Sequence, residues 1–159
     1  PPGIRFWPKN KGRDGCRTPM TWDSTKDNAG FSSVKTWLPV KSTQIERSAN
    51  LQERDKNSVL HFYRDFISFR KEKRSLIDGD INFHGMDKSI LFFIREDKEK
   101  IGCLFNLSSE EITINCDGLE LIDKKIKQNL SIDVDNLIIG KFGFGFFNIK
   151  EEFNKLYIE

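Results

Sequence analysis

Apolar positions change their spacing twice along this chain. Over residues 1–54 they follow neither regular period, and Gly or Pro recurs at positions 2, 3, 8, 12, 15, 19, 30 and 39. Over residues 55–72, Val59, Phe62, Tyr63, Phe66 and Ile67 recur at spacings of three and four, one face of a helix. Asp55 is the expected N-cap, with its carboxylate at the positive end of the helix dipole, and Lys71, Lys73 and Arg74 suit the other end. Phe62 and Phe66 are expected in the core, and His61 at its boundary. A shorter helical turn is expected at about 45–51. Beyond Asp78-Gly79-Asp80 the period falls to two. Strands are expected at about 81–84, 90–95, 101–106, 112–115, 119–122, 137–139 and 142–148. Turn signals separate several of them at Gly85-Met86-Asp87, Glu96-Asp97-Lys98, Ser108-Ser109 and Asp117-Gly118. Short strands at this spacing predict an antiparallel sheet or sandwich.

The first third poses a different problem. Trp7, Trp22, Phe31 and Trp37 have to bury surface somewhere, yet their stretch offers no element of its own. A loop this long is uncommon in a compact domain unless it is functional. The expectation is that it wraps over a neighbouring structure, and that alone it leaves its aromatics exposed. Pro1-Pro2-Gly3-Ile4 already reads as the middle of a loop, which suggests the later part of a longer protein.

Composition narrows the class. The chain has 159 residues, 37% hydrophobic and 31% charged, with a net charge of +2. No apolar run approaches the roughly 20 residues of a membrane span. The charge is too small and too interspersed for a nucleic-acid surface. Fourteen phenylalanines, dense near the end, supply a core. Cys16, Cys103 and Cys116 lack both the spacing of a zinc site and the even count of a disulfide scaffold, so reduced thiols in a cytoplasm are expected. The sequons at Asn106-Leu107-Ser108 and Asn129-Leu130-Ser131 read as chance matches in strand-like stretches.

Candidate chemistry gathers at Gly12-Arg13-Asp14-Gly15-Cys16-Arg17-Thr18-Pro19-Met20-Thr21-Trp22. Gly12 and Gly15 permit positive φ, while Pro19 fixes its own φ and extends Thr18. Two arginines, an aspartate and an indole between such breakers suit a polar ligand, sugars among them. The alternative is a structural loop whose arginines pair with carboxylates elsewhere.

This stretch, followed by Ala29-Gly30-Phe31-Ser32 and Trp37-Leu38-Pro39-Val40, resembles the α-glucosidases and oligo-1,6-glucosidases of the α-amylase superfamily, glycoside hydrolase family 13. Thr21 departs from the proline usual in the closest subfamily. The resemblance covers about residues 1–150. It implies an α+β arrangement: the end of a (β/α)8 barrel, namely the irregular loop and last helix, followed by a small antiparallel β-sandwich domain. The implied domains are 1–78 from the catalytic barrel, 79–150 as the C-terminal β domain, and 151–159 as a tail.

The implied activity belongs to the parent enzyme. It is hydrolysis of terminal α-glucosidic bonds of short oligosaccharides, maltose- or isomaltose-like, with retention. Retaining hydrolysis needs two carboxyl groups flanking the scissile bond. Asp14, Asp23 and Asp27 match none of the family's catalytic carboxylates, so no catalytic residue is assigned and the chain alone is expected to be inactive. Arg17 resembles the arginine that helps close the pocket around the terminal glucose. Arg13 and Asp14 either orient it or pair with each other, and a purely structural ion pair at Arg17 stays open. No cofactor, metal, nucleic acid or membrane is implied. The reading from another class is a stand-alone carbohydrate-binding or interaction module.

Three further motifs carry no chemistry. Gly140-Lys141-Phe142-Gly143-Phe144-Gly145 lacks the spacing, the Ser/Thr and the helix of a phosphate loop, and reads as a strand with Phe142, Phe144 and Phe146 on one face. Asp133-Val134-Asp135-Asn136 lacks the glycine and terminal glutamate of a calcium loop. His84 has no partner in the sequence.

Overall fold

The computed structural model describes residues 13–84, 89–115, 117–123, 125–133, 136–151, 153 and 156. Trp7, Gly12, the Gly85-Met86-Asp87 turn, Cys116, Val134-Asp135 and most of the tail lie outside the described residues. Contacts divide the chain into two compact units, Pro1–Arg64 and Asp65–Glu159. The period changes where expected, at residue 79, but residues 65–78 group with the sheet that follows them.

The first unit contains little regular structure. Its 3-10 turn Asp14–Cys16 is followed by a turn at Asp27–Gly30. In that second turn Asn28, Ala29 and Gly30 all take positive φ (50°, 52° and 72°). The expected turn at 45–51 is two short helices, α1 (Ser42–Ile45) and α2 (Ala49–Arg54). The long helix α3 runs over Val59–Glu72 and not from residue 55. Its N-cap is Ser58, whose hydroxyl accepts from the His61 amide at 3.3 Å and whose carbonyl accepts from the Phe62 amide. Asp55 instead turns the chain ahead of the helix, accepting from the Asn57 amide at 2.9 Å. The expected core stripe is also corrected. Val59, Phe62, Tyr63 and Ile67 are exposed, Phe62 by 40%. The helix buries Phe69 and half-buries Phe66, which pack on Phe146 with ring centroids 5.3 and 5.6 Å apart.

In the second unit the C-terminal half of α3 is followed by α4 (Arg74–Asp78), a short helix with no periodic signal in the sequence. Then come β1 (Asp80–Phe83), β2 (Ile90–Glu96), β3 (Lys100–Asn106), β4 (Ile112–Asn115), β5 (Leu119–Leu121), β6 (Gln128–Asp133) and β7 (Asn136–Ile149). All pairings among them are antiparallel. The two strands expected at 137–139 and 142–148 are one, and β6 was not expected. Of β6 only Leu130 is buried, so it shows no alternation to read.

Strand β7 is the spine of the sheet. Its first half pairs with β4 and β6, and its second half with β3 and β5. The sandwich is therefore one sheet curled about a single long strand. The bend falls at Phe142, where φ is 49°, opposite a register shift at Asn129, where φ is 46°. Gly143 is required there, since a Cβ would lie 2.6 Å from the Asn129 carbonyl oxygen. This bend also turns Phe142 out to solvent, away from the face that Phe144 and Phe146 share.

Alternation along the strands fills both faces of the sheet. Ile90, Phe92, Ile94, Leu104, Leu137, Ile139 and Phe147 build the enclosed core. Ile101, Cys103 and Phe146 point the other way, beneath Phe69 and Leu76 of the helices. Phe93, Phe105 and Phe144 extend this second face as stacked rings, with centroids 6.0 and 6.2 Å apart. Burial pushes the Cys103 thiol up to about 12, so it packs as a small apolar group. Asn106, 2% exposed, crosses the enclosed core's rim and donates to the carbonyls of Glu110, Ile139 and Gly140 at 2.7, 3.2 and 3.0 Å.

Candidate functional site

The loop singled out in the sequence is held by short polar side chains. The Asp14–Cys16 turn closes through the Cys16 and Arg17 amides, which donate to the Arg13 and Asp14 carbonyls, each at 3.1 Å. Gly15 does not use its freedom, for it is absent from the positive-φ residues. Arg13 and Arg17 are exposed and Asp14 is half-buried. Among the described residues the ion pairs are Lys26–Asp23, Arg64–Glu53, Lys73–Glu99, Arg74–Asp78 and Lys100–Glu96. None of them involves Arg13, Asp14 or Arg17, so Arg13 and Asp14 do not pair with each other and the Arg17 guanidinium keeps its forked donors available.

After Arg17 the chain is tied to α1 and α2 at Thr18, Thr21 and Trp22. The Gln44 amide nitrogen donates to the Thr18 hydroxyl at 2.7 Å, and the Thr21 hydroxyl donates to the Gln44 carbonyl at 3.0 Å. Pro19 and Thr21 are buried between these bonds. The proline expected at position 21 could not make the second bond, so the departure from the family pattern has a local role. Next, the Ala49 and Asn50 amides, at the start of α2, donate to the Thr21 and Trp22 carbonyls at 3.0 Å. These are amides that a helix N-terminus leaves without intrahelical partners.

Asn50 is the hub of the following turn. Its carbonyl oxygen accepts from the hydroxyl of the fully buried Ser48 at 2.7 Å and from the Ser24 amide at 3.1 Å. Its amide donates to Asp23 at 2.9 Å. The same Asp23 oxygen also accepts from the amide and hydroxyl of Thr25 at 3.0 and 2.8 Å. Those Thr25 bonds hold the Asp23 carboxyl below its ordinary range. Asp23 is thus occupied as a turn former and is not poised as an acid or a nucleophile.

The left-handed turn completes the frame. The Ala29 carbonyl accepts from both the Trp22 and Asp23 amides, at 2.9 and 3.0 Å. Asn28 donates to the Ser32 and Val34 carbonyls, each at 3.0 Å. Trp22 and Trp37 stand 54% and 76% exposed beside this frame. A groove of about 520 Å³ in the same unit is lined by Lys26, Asn28, Lys35, Trp37 and Pro39, without Arg13, Asp14 or Arg17. Among the described residues no cluster of three His, Cys, Asp or Glu side chains could hold a metal ion.

Other residues weighed in the sequence have local roles. The His61 ring nitrogen lies 3.0 Å from the Glu53 carbonyl oxygen. Arg64 forks onto both Glu53 oxygens at 2.9 Å, which lowers the Glu53 carboxyl. His84 stands between Phe92 and Phe153, with centroids at 5.8 and 6.1 Å. Cys16 and Cys103 are free thiols. Gln44, Ser48 and Asn50 were not among the expected site residues. The loop partners of Gln44 and Asn50 lie 23–27 residues away, and no local motif marks the pairing.

Comparison with known proteins places these residues. Residues 3–79 match the α-amylase family, described as its catalytic domain. A Rhizobium meliloti protein named "Probable alpha-glucosidase" is 51% identical over 114 residues, which are 71% of this chain and 20% of that protein. The salivary α-glucosidase of Aedes aegypti is 32% identical over 148 residues, 82% of this chain and 25% of its own length. This chain therefore spans a fifth to a quarter of these curated relatives. Among solved structures, the α-glucosyl transfer enzyme XgtA superposes with a TM-score of 0.83 at 34% identity, over 93% of this chain and 28% of that one. A mutant of the trehalulose synthase MutB follows with a TM-score of 0.73 at 27% identity, over 87% of this chain and 26% of its own.

Proposed function

We propose, from the premise that this chain belongs to the α-amylase superfamily as an α-glucosidase-like member, that its first unit supplies one wall of a sugar-cleaving pocket. The reaction is hydrolysis of terminal α-glucosidic bonds in short oligosaccharides of maltose or isomaltose type, with retention. The two carboxyl groups this chemistry requires come from residues outside these 159. Asp23 supports that reading, since its carboxylate is already committed to Thr25 and Asn50. No helix among the described residues is long and apolar enough to cross a membrane. The free thiols Cys16 and Cys103 suit a cytoplasmic enzyme.

The observation that carries the proposal is Arg17. It is exposed, it has no ion-pair partner among the described residues, and the chain on its C-terminal side is tied down at Thr18, Thr21 and Trp22. A guanidinium carried next to a tied backbone, with free forked donors, is suited to adjacent sugar hydroxyls. Arg13 and Asp14 lie on the turn that presents it. In the whole enzyme, Arg17→Ala is expected to lower kcat/KM for maltose or isomaltose by about 1.5–3 kcal/mol, the worth of a charged hydrogen bond. A change within a few-fold would falsify the assignment. The 159-residue chain by itself is expected to show no glucosidase activity.

A further inference from the structure

We propose that Gln44 is a positioning residue for Arg17, acting through Thr18. This inference rests on the reading of Arg17 given above and assigns what holds that arginine in place. Three bonds converge on Gln44. Its amide nitrogen donates to the Thr18 hydroxyl at 2.7 Å, its side-chain oxygen accepts from the Lys41 amide at 3.0 Å, and its carbonyl accepts from the Thr21 hydroxyl at 3.0 Å. Both ends of the stretch Thr18-Pro19-Met20-Thr21 are therefore tied to one residue.

The stretch between the two ties is stiff. Pro19 is buried and its ring fixes φ, while Thr18 before it is confined to extended geometry. Fixing Thr18 then fixes the direction in which the chain leaves Arg17, whose Cα is one virtual bond of about 3.8 Å away. The bond from the Gln44 side chain to the Lys41 amide orients the donor, as in half of a capping box. The other polar side chains of the frame attach further from Arg17. Asn50, itself bonded by the Ser48 hydroxyl, holds Asp23 and Ser24, six and seven residues on.

The test uses the whole enzyme and a small neutral α-glucoside. Gln44→Met removes the amide at nearly constant volume, and Thr18→Val removes the hydroxyl while leaving the other bonds of Gln44. Each is expected to lower kcat/KM about tenfold, mainly through KM, the size of one misdirected hydrogen-bonding contact. Thermal unfolding midpoints report whether each variant is folded; should Gln44→Met fail to fold, Thr18→Val decides the matter. In an Arg17→Ala background neither substitution is expected to lower kcat/KM further, because the group they position is gone. The inference is overturned if Thr18→Val leaves kcat/KM within twofold, or if the losses add in the Arg17→Ala background, as a merely structural role requires. An Arg17→Ala variant that keeps full activity removes the reading of Arg17 itself, and this inference with it.

Discussion

The two units solve the same problem, holding an irregular chain in one shape, by opposite means. In the second, apolar burial does the holding. Phe92, Ile101, Leu104, Ile114, Leu137, Ile139 and Phe147 are all at or near zero exposure, packed on both faces of one curled sheet. In the first, Pro19 and Ala29 are the buried apolar residues among those described outside α3, and the shape comes from directional bonds between short polar side chains. Burial is non-directional and tolerant of sliding; a hydrogen-bonded frame is not. A surface that must present one guanidinium in one direction gains from the second kind. Trp7, Trp22 and Trp37, all three tryptophans of the chain, fall in the first unit, so indole fluorescence reports on that unit and sheet circular dichroism on the other.

The largest expected effect is in the apolar unit. Phe147→Ala empties the centre of the enclosed core, where Phe147 is 0% exposed, and is expected to cost about 3–5 kcal/mol in denaturant unfolding followed by circular dichroism. A cost below about 1 kcal/mol would show that this core is not what stabilises the sheet. The contrast predicts that tryptophan emission before the unfolding transition is unchanged in this variant.

That asymmetry also decides what could be read from the sequence. Strands β2, β3 and β4 were placed within a residue because Ile90, Phe92 and Ile94 alternate with their neighbours as a half-buried strand demands. Strand β6 was missed because Leu130 alone is buried there, and α4 because Ser75-Leu76 is too short a run to show a period. The start of α3 was misplaced toward Asp55 because two good caps compete within four residues, and Ser58 wins by also bonding Gln52. Phe62 read as core because a helix pattern gives a face but not which part of that face is covered. Arg13, Asp14 and Arg17 were legible by resemblance. Their supports Gln44 and Asn50 were not, because a pairing across 23–27 residues leaves no local mark.

A middle-sized effect probes the polar frame. Asn50→Ala strips partners from Asp23, Ser48 and the Ser24 amide at once. Buried groups left without partners cost about 1–3 kcal/mol. The expected readout is a red shift and broadening of tryptophan emission, with the circular-dichroism transition of the sheet in place. If the sheet transition moves as far as the indole signal, the polar frame and the apolar core are not held independently.

The smallest effect is acid sensitivity confined to the polar frame. Asp23 is held below its ordinary 3.8 by the Thr25 amide and hydroxyl, and Glu53 below its ordinary 4.5 by the Arg64 guanidinium. A carboxyl lowered on folding adds stability that is present above its unfolded value and lost as pH falls through its folded one. Both groups lie in the first unit, whereas the second is held chiefly by apolar burial. On acidification from pH 5 the tryptophan signal is therefore expected to change first, beginning below about 4.5, before the sheet signal does. Because both carboxyls are well solvated, the displacement is small and shrinks further in salt. The double variant Asp23→Asn, Glu53→Gln should abolish the early acid limb and leave the sheet's transition where it was. Coincident acid transitions of the two signals in the unsubstituted chain would place the acid-sensitive groups elsewhere and erase the division between a bonded wall and a buried core.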